Sequence, residues 1–389
     1  MFVKPLHREE IERRRLFRRI KGVGFVLSLA ALSSYAIIRQ TTSPAFSVSR
    51  GHDTAAAQSV DRTSVLAASY VPPADSSSSD YRLVQGPYGV AEVPDLVLRD
   101  TQRDKDLHVR IFYPSETADG PFPVIVFSHG AGGSETCCDA LTRHWASYGY
   151  VTLQPTHDDS AQQRRAGGDS DARFLQAVRD ALKSPALWES RPRDISFVLD
   201  SLPQIERLVP ALKGKMNASR IGMSGHSMGA FTTEALVGAR IDLPGRPGTS
   251  FADPRIRAAL ALSPQGPGQF GLTDRSWDGV TLPFMGVTGS LDSLGPIASP
   301  EWHKAPFERS QSGDKYHVFI QAANHFSFIT ARTLLPGRAA KGQAIFEDVQ
   351  CAALAFWDAY LKDDPNAKRY LASDALAKFS GGAATLDRR

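Results

Sequence analysis

The pentapeptide Gly225-His226-Ser227-Met228-Gly229 constrains this chain more than any other feature, because of what stands on either side of it. Before it, Arg220-Ile221-Gly222-Met223-Ser224 is a strand-like run ending at Gly225, and after it Ala230–Leu236 starts a helix. Ser227 therefore falls on a strand-to-helix turn. A sharp turn of that kind presses the serine's neighbours against adjacent backbone, and glycine at both flanks removes the Cβ atoms that would clash. The bland alternative, a glycine-rich turn with an incidental serine, leaves this context unexplained.

The rest of the chain supplies a frame for such a turn. Short β-branched runs alternate with longer helical patterns, the signature of a parallel sheet with crossover helices. The expected strands are Ala91–Leu98, Leu107–Tyr113, Pro123–Ser128, Tyr150–Pro155, Arg220–Ser224, Ala258–Ser263, Pro283–Thr288 and Tyr316–Gln321. Helices are expected after Ser134, from about Pro192 to Leu202, after Ser227, and from about Lys341 to Leu361. The fold class is α/β: an α/β-hydrolase fold with a mostly parallel eight-stranded sheet flanked by helices. One excursion breaks the rhythm. From His157 to Arg191 the chain is polar and rich in Arg and Asp, with an amphipathic stretch around Phe174–Leu182, and reads as a lid whose apolar contact comes from Leu187 and Trp188.

The catalytic domain is expected over residues 85–379, followed by a tail over 380–389. Ahead of it, residues 40–84 turn to Ser, Thr, Ala and Asp, too little apolar surface to offset the entropy of ordering, so they read as a linker. Residues 1–39 are a targeting segment: a basic stretch, then an apolar run from Gly22 to Ile38 of about 17 residues, between the length of a signal-peptide core and that of a membrane span. Both fates stay open. Glu12-Arg13-Arg14-Arg15-Leu16-Phe17 also resembles a twin-arginine export signal. Residues 1–21 hold eight Lys/Arg against three Glu, so the net charge of +4 becomes about −1 for the remainder (4 − 5). A basic surface for nucleic acid has no support in that balance. Cys137, Cys138 and Cys351 allow at most one bridge and read as three free thiols, and no Cys/His spacing for zinc is present.

A serine hydroxyl becomes a nucleophile when a base takes its proton and a third group fixes the base's tautomer. His325, in Ala323-Asn324-His325-Phe326 just past an expected strand, is the candidate base. His317 inside that strand and His303 beyond Trp302 read as a sheet residue and a surface loop residue. Asp292, in Gly289-Ser290-Leu291-Asp292, is the candidate acid, again at a strand's carboxyl end. The rival position at the end of the preceding strand holds Ser263, which cannot act as an acid, and Asp274 and Asp278 beyond it read as solvated loop carboxylates. Two backbone N–H groups must also face the oxyanion, and Ala131, in His129-Gly130-Ala131-Gly132-Gly133, and Met228 are the expected pair. His129 reads as a structural hydrogen-bonding residue.

These residues resemble a known group: bacterial hydrolases related to platelet-activating-factor acetylhydrolases, often labelled predicted dienelactone hydrolases, and more distantly cutinase-type polyester hydrolases. The resemblance covers about Phe122–Phe326 and rests on Pro123-Val124-Ile125-Val126-Phe127-Ser128-His129-Gly130, Arg191-Pro192-Arg193-Asp194-Ile195, the pentapeptide around Ser227, Gly289-x-x-Asp292 and Asn324-His325. It implies hydrolysis of short or oxidised acyl esters without a cofactor. Animal acetylhydrolases take their acid where this chain has Ser263, whereas Asp292 matches the placement in dienelactone and polyester hydrolases. Ser227 also stands where true dienelactone hydrolases carry cysteine.

The resulting expectation is an exported or membrane-anchored serine esterase acting on a small-molecule or lipid-like ester, with attachment through residues 22–38 as one option. An amidase or peptidase of the same fold is the nearest alternative. A catalytically inactive binding module is a third, which the intact Ser227, Asp292 and His325 argue against.

Overall fold

A computed structural model describes residues 86–115, 120–160, 176, 178–293, 298–330 and 339–389 of the 389-residue chain. The expected targeting segment and the whole of the expected linker, along with the middle of the expected lid (161–175), lie outside the described residues. Among the described residues no helix is long and apolar enough to cross a membrane.

A nine-stranded sheet carries the molecule. The strands are β1 (Val90–Asp100), β2 (Lys105–Pro114), β3 (Phe122–Ser128), β4 (Val151–Pro155), β5 (Met216–His226), β8 (Ile256–Leu262), β9 (Phe284–Leu291), β10 (Lys315–Asn324) and β11 (Ala384–Arg388). Their spatial order is β1-β2-β4-β3-β5-β8-β9-β10-β11, and the run from β4 to β10 is parallel throughout. A separate hairpin, β6 (Ile241–Leu243) with β7 (Arg246–Thr249), follows the helix after Ser227. The flanking helices are α1 (Asp139–Ser147), α2 (Pro185–Asp200), α3 (Leu202–Leu208), α4 (Met228–Leu236), α5 (Pro300–His303), α6 (Ala305–Arg309), α7 (Ala339–Leu361), α8 (Pro365–Leu371) and α9 (Ala375–Phe379).

Central strands are continuous apolar runs because helices cover both faces of the sheet. Along β3 successive side chains alternate between two cores: Val124 and Val126 pack with Ile195, Val198 and Phe231 of α2 and α4, whereas Ile125 and Phe127 pack with Trp145 of α1 and Trp357 of α7. Trp145 and Trp357 meet edge to face at 5.7 Å and both are fully buried. Truncating either to alanine would cost about 3–5 kcal/mol.

Every expected strand is present, and the sheet is larger than expected by one. Ala384–Arg388, expected to be tail, pairs antiparallel with β10 from Tyr316↔Arg388 to Ile320↔Ala384 and closes that edge. Its sequence is short and mostly polar, as an edge strand with one wet face allows. The helix expected at Pro192 starts earlier, with Ser184 as N-cap and Pro185 in the first turn, and it carries Pro192 inside it. That shift also corrects the lid. Pro185–Arg191 belongs to α2, where Leu187 and Trp188 pack on the core and Trp188 meets Phe270 edge to face at 5.8 Å. At the other end of the excursion, His157 and Asp159 are buried. Cys137, Cys138 and Cys351 form no disulfide.

Candidate active site

The turn after β5 has the shape its glycines require. Ser227 sits at φ 58°, ψ −116°, a left-handed conformation that costs a non-glycine residue about 1–3 kcal/mol. Its N–H donates to Leu262 O of β8 at 3.0 Å, and Ala230 and Phe231 N–H return to Ser227 O, pinning the strained residue between sheet and helix. A Cβ on Gly225 would lie 2.2 Å from Gly229 O, and one on Gly229 would lie 1.9 Å from Ser128 O. No other residue fits at either position while β3, β5 and α4 stay this close.

Parallel pairing places acid and base together. β9 and β10 are neighbours with Leu291 opposite Asn324, so the residues just beyond, Asp292 and His325, emerge side by side at the strands' carboxyl ends. His325 Nδ1 lies 2.9 Å from Asp292 Oδ1. Thr288 Oγ1 donates to Asp292 Oδ2 at 2.9 Å, and Ser263 Oγ donates to Oδ1 at 3.0 Å. Burial pushes the Asp292 carboxyl up, but His303, the His325 hydrogen bond and Ser263 outweigh it and hold it down at about 2. An ionised Asp292 accepts from Nδ1–H, which leaves His325 Nε2 as the free lone pair of the ring.

His226 docks the serine's turn on the His325 loop. Its Nε2–H donates to His325 O at 2.7 Å, and the two rings lie 4.7 Å apart. Burial, then the nearby His325, lower the His226 imidazole to about 3, so it is a neutral donor at neutral pH. Among the described residues the Ser227 hydroxyl makes no hydrogen bond, so this structure does not join serine to base directly. Such contacts often tighten only with substrate bound.

His303 is not the surface residue its surroundings in the sequence suggested. It is buried at 1% exposure, with Nδ1 on Pro264 O and Nε2 3.4 Å from Asp292 Oδ1. The packing of α5 against β9 turns it inward. Asp292, His303 and His325 thus bring three ligand-type atoms within 4.8 Å, a spacing a transition-metal ion takes. Asp292 Oδ1 already bonds Ser263 and His325, and His303 Nδ1 is committed to Pro264, so the cluster has the form of one acid between two imidazoles. Asp274 and Asp278 are exposed, with Arg309 and Arg275 as their partners.

The loop after β3 faces Ser227. A Cβ on Gly130 would touch Ser227 Cβ at 3.4 Å, and Gly132 has φ +72°. Gly133 N–H donates to Gly130 O at 3.0 Å and Gly132 N–H to Asp159 Oδ2 at 3.0 Å, whereas Ala131 N–H has no acceptor among the described residues. Met228 opens α4, and a helix's first N–H groups have no acceptor inside the helix. These are the donors expected to face an oxyanion.

A second serine, histidine and aspartate lie in line elsewhere. Ser128 Oγ meets His157 Nε2 at 2.9 Å, and His157 Nδ1 meets Asp194 Oδ2 at 2.8 Å. This trio was not picked out as a unit in the sequence, although Ser128 and Asp194 stand in two of the motifs quoted for the resemblance. Ser128 and Asp194 have no exposure and His157 has 1%. Asp194 also binds Arg103 Nη1 at 2.6 Å and Lys105 Nζ at 2.8 Å. Burial raises the Asp194 carboxyl, and His157 and Lys105 bring it back to about 2. Ser128 ends a regular strand inside the core, whereas Ser227 is partly exposed on a strained turn.

Comparison with known proteins gives partial matches. A family model described as platelet-activating factor acetylhydrolase, isoform II, matches residues 115–166, the stretch holding β3, the loop after it and β4. A bis(hydroxyethyl) terephthalate hydrolase of Streptomyces coelicolor is 26% identical over 265 residues, 68% of each chain. Cutinase est1 of Thermobifida alba is 26% identical over 227 residues, 58% of this chain and 60% of the cutinase. A cutinase of Thermobifida fusca is 24% identical over 219 residues, 56% of each chain. The chain spans about 60% of the cutinases' length. The mostly parallel sheet, the strained serine turn and these partial matches agree on an α/β-hydrolase fold, in a chain that is similar to the platelet-activating-factor acetylhydrolase and cutinase-like group.

Proposed function

We propose that the chain is a serine esterase in which Ser227 is the nucleophile, His325 the general base and acid, and Asp292 the group that orients His325. Ser227 Oγ adds to the ester carbonyl while its proton passes to His325 Nε2. The carbonyl oxygen becomes an oxyanion held by Ala131 and Met228 N–H. Collapse expels the alcohol with the proton from His325 and leaves an acyl-enzyme, which water hydrolyses by the same sequence in reverse. The observation that carries this reading is the bonded Asp292–His325 pair at the ends of adjacent strands, docked through His226 on the turn that holds Ser227.

The proposed substrates are carboxylic esters, short-chain acyl or lipid-like, and the names of a terephthalate diester hydrolase, of cutinases and of an acetylhydrolase family support that reading. Export of the domain, from the basic and apolar character of residues 1–38, belongs to the same proposal.

A fluorophosphonate probe tests the nucleophile. It should label the wild type and the Ser128→Ala variant but not Ser227→Ala, and turnover of p-nitrophenyl acetate and bis(hydroxyethyl) terephthalate should follow the labelling. Labelling lost in Ser128→Ala and kept in Ser227→Ala would transfer the chemistry to the buried trio. Cleavage of p-nitroanilides faster than of matched esters would make the enzyme an amidase.

A further inference from the structure

We infer that Arg191 and Asp159 are positioning residues of the oxyanion hole, acting through the backbone of the loop after β3; this rests on the Ser227 reading. Both side chains are fully buried, and their contacts converge on that loop. Arg191 Nη1 donates to His129 O at 2.7 Å, and Nη2 lies 3.4 Å from Gly130 O. The same guanidinium grips Asp159, with Nε at 3.1 Å from Oδ1 and Nη2 at 2.8 Å from both carboxylate oxygens. Asp159 Oδ2 in turn accepts the Gly132 N–H at 3.0 Å.

The loop is thereby tied on both sides of the one donor that must stay free. Upstream, the carbonyls of His129 and Gly130 are held; downstream, the Gly132 N–H is held; between them Ala131 N–H points to no protein acceptor among the described residues. His129 completes the clamp. Its Nε2 accepts His157 N–H at 2.9 Å, so Nδ1 carries the proton and donates to Gly130 O at 2.7 Å. Burial and the neighbouring Arg191 hold the His129 imidazole well below its usual range, which keeps it neutral and keeps this tautomer.

Stability alone does not account for the pair. Desolvating two charges costs several kcal/mol each, and well-packed apolar residues of similar volume often stabilise a core as well or better. A buried pair justifies that cost when its remaining hydrogen bonds fix something a hydrocarbon cannot. Here they fix main chain: Gly130, Gly132 and Gly133 have no side chains by which packing could hold them. The serine's turn is docked separately, through His226 and Leu262 O, so weakening the pair mis-aims Ala131 N–H and leaves the Asp292–His325 pair in place.

Arg191→Lys keeps the charge and loses the fork, and Asp159→Asn keeps an acceptor for Gly132 N–H and loses the ion pair. In the full chain with p-nitrophenyl acetate, each should lower kcat roughly 10- to 100-fold, as for a displaced oxyanion donor, with KM within about twofold. Affinity for phenylboronic acid, which forms a tetrahedral adduct on the serine, should fall by the same factor as kcat. The fluorophosphonate probe should still label Ser227. A lower unfolding temperature with kcat and boronate affinity at wild-type levels, in whichever variant folds by circular dichroism, overturns the inference. Wild type that the probe fails to label at Ser227 overturns the esterase reading instead.

Discussion

Ser263 donates its hydroxyl proton to Asp292 Oδ1 across 3.0 Å, reaching over from the end of β8 to the end of its neighbour β9. Asp292 Oδ1 and Ser263 Oγ each lie 2.9 Å from His325 Nδ1, so the proton of that ring nitrogen is shared between carboxylate and hydroxyl. Ser263 holds a left-handed φ of 55°, an unfavourable conformation that turns its side chain toward the acid. Ser263, at the end of β8, is a support for the carboxylate one strand over.

Ser263→Ala should therefore slow the enzyme without silencing it. Loss of one hydrogen bond to the charged pair is worth about 1.4 kcal/mol, or a tenfold fall in kcat. Steady-state kinetics on p-nitrophenyl acetate checks it: a drop beyond about a thousandfold would give Ser263 a direct chemical role, and no drop would mean that Thr288 and His303 suffice.

The two serines should separate cleanly. Ser227→Ala should abolish turnover and leave the unfolding midpoint nearly unchanged, since removing a triad member costs far more than a support residue. Ser128→Ala should do the opposite, destabilising by about 1–3 kcal/mol because His157 Nε2 loses its partner in the core. Urea unfolding beside turnover measures both effects in one preparation. Equal losses of activity in the two variants would contradict the assignment.

Among the aspartates the ranking is the prediction. Asp292→Asn should lower kcat by several orders of magnitude, because the amide no longer selects the Nδ1–H tautomer of His325. Asp274→Asn and Asp278→Asn should stay within about twofold, since both are exposed and touch only surface arginines. Kinetics of the three variants side by side decide it.

The sheet could be read from the chain because parallel strands covered on both faces are continuous apolar runs, as in Val124–Phe127 and Ala258–Leu262. The hairpin β6-β7 does not show in the sequence, since its strands of three and four residues, joined through Pro244 and Gly245, are too short for a period to appear. Ser227, Asp292 and His325 were legible because each follows a strand. His303, Asp159 and Arg191 were not, since polar stretches read as exposed unless their partners are known. Arg191 is 32 residues from Asp159 and 62 from His129 in sequence, and only the folded chain joins them. The one available signal was the recurrence of Ser128-His129-Gly130 and Arg191-x-x-Asp194 in the resemblance, which marked residues without giving them roles.

The last prediction concerns a charge that folding suppresses. Glu234 lies on α4, fully buried, and burial raises its carboxyl to about 8, although Gln265 N–H at 2.7 Å and Trp277 Nε1–H at 2.9 Å pull the other way. Because the folded value exceeds the unfolded one, near 4.3 for a free glutamate, the native state holds the extra proton. Stability from this group is complete below about pH 4 and falls as pH rises, with the loss finished once pH passes about 8. Glu234→Gln keeps the shape and an acceptor for one of the two donors, turns an NH2 toward the other, and has no proton to lose. The wild type should therefore lose stability between about pH 5 and 8 relative to the variant, a gap read from urea midpoints across that range. Parallel curves for the two proteins would show that Glu234 titrates normally and that some neighbour compensates its charge.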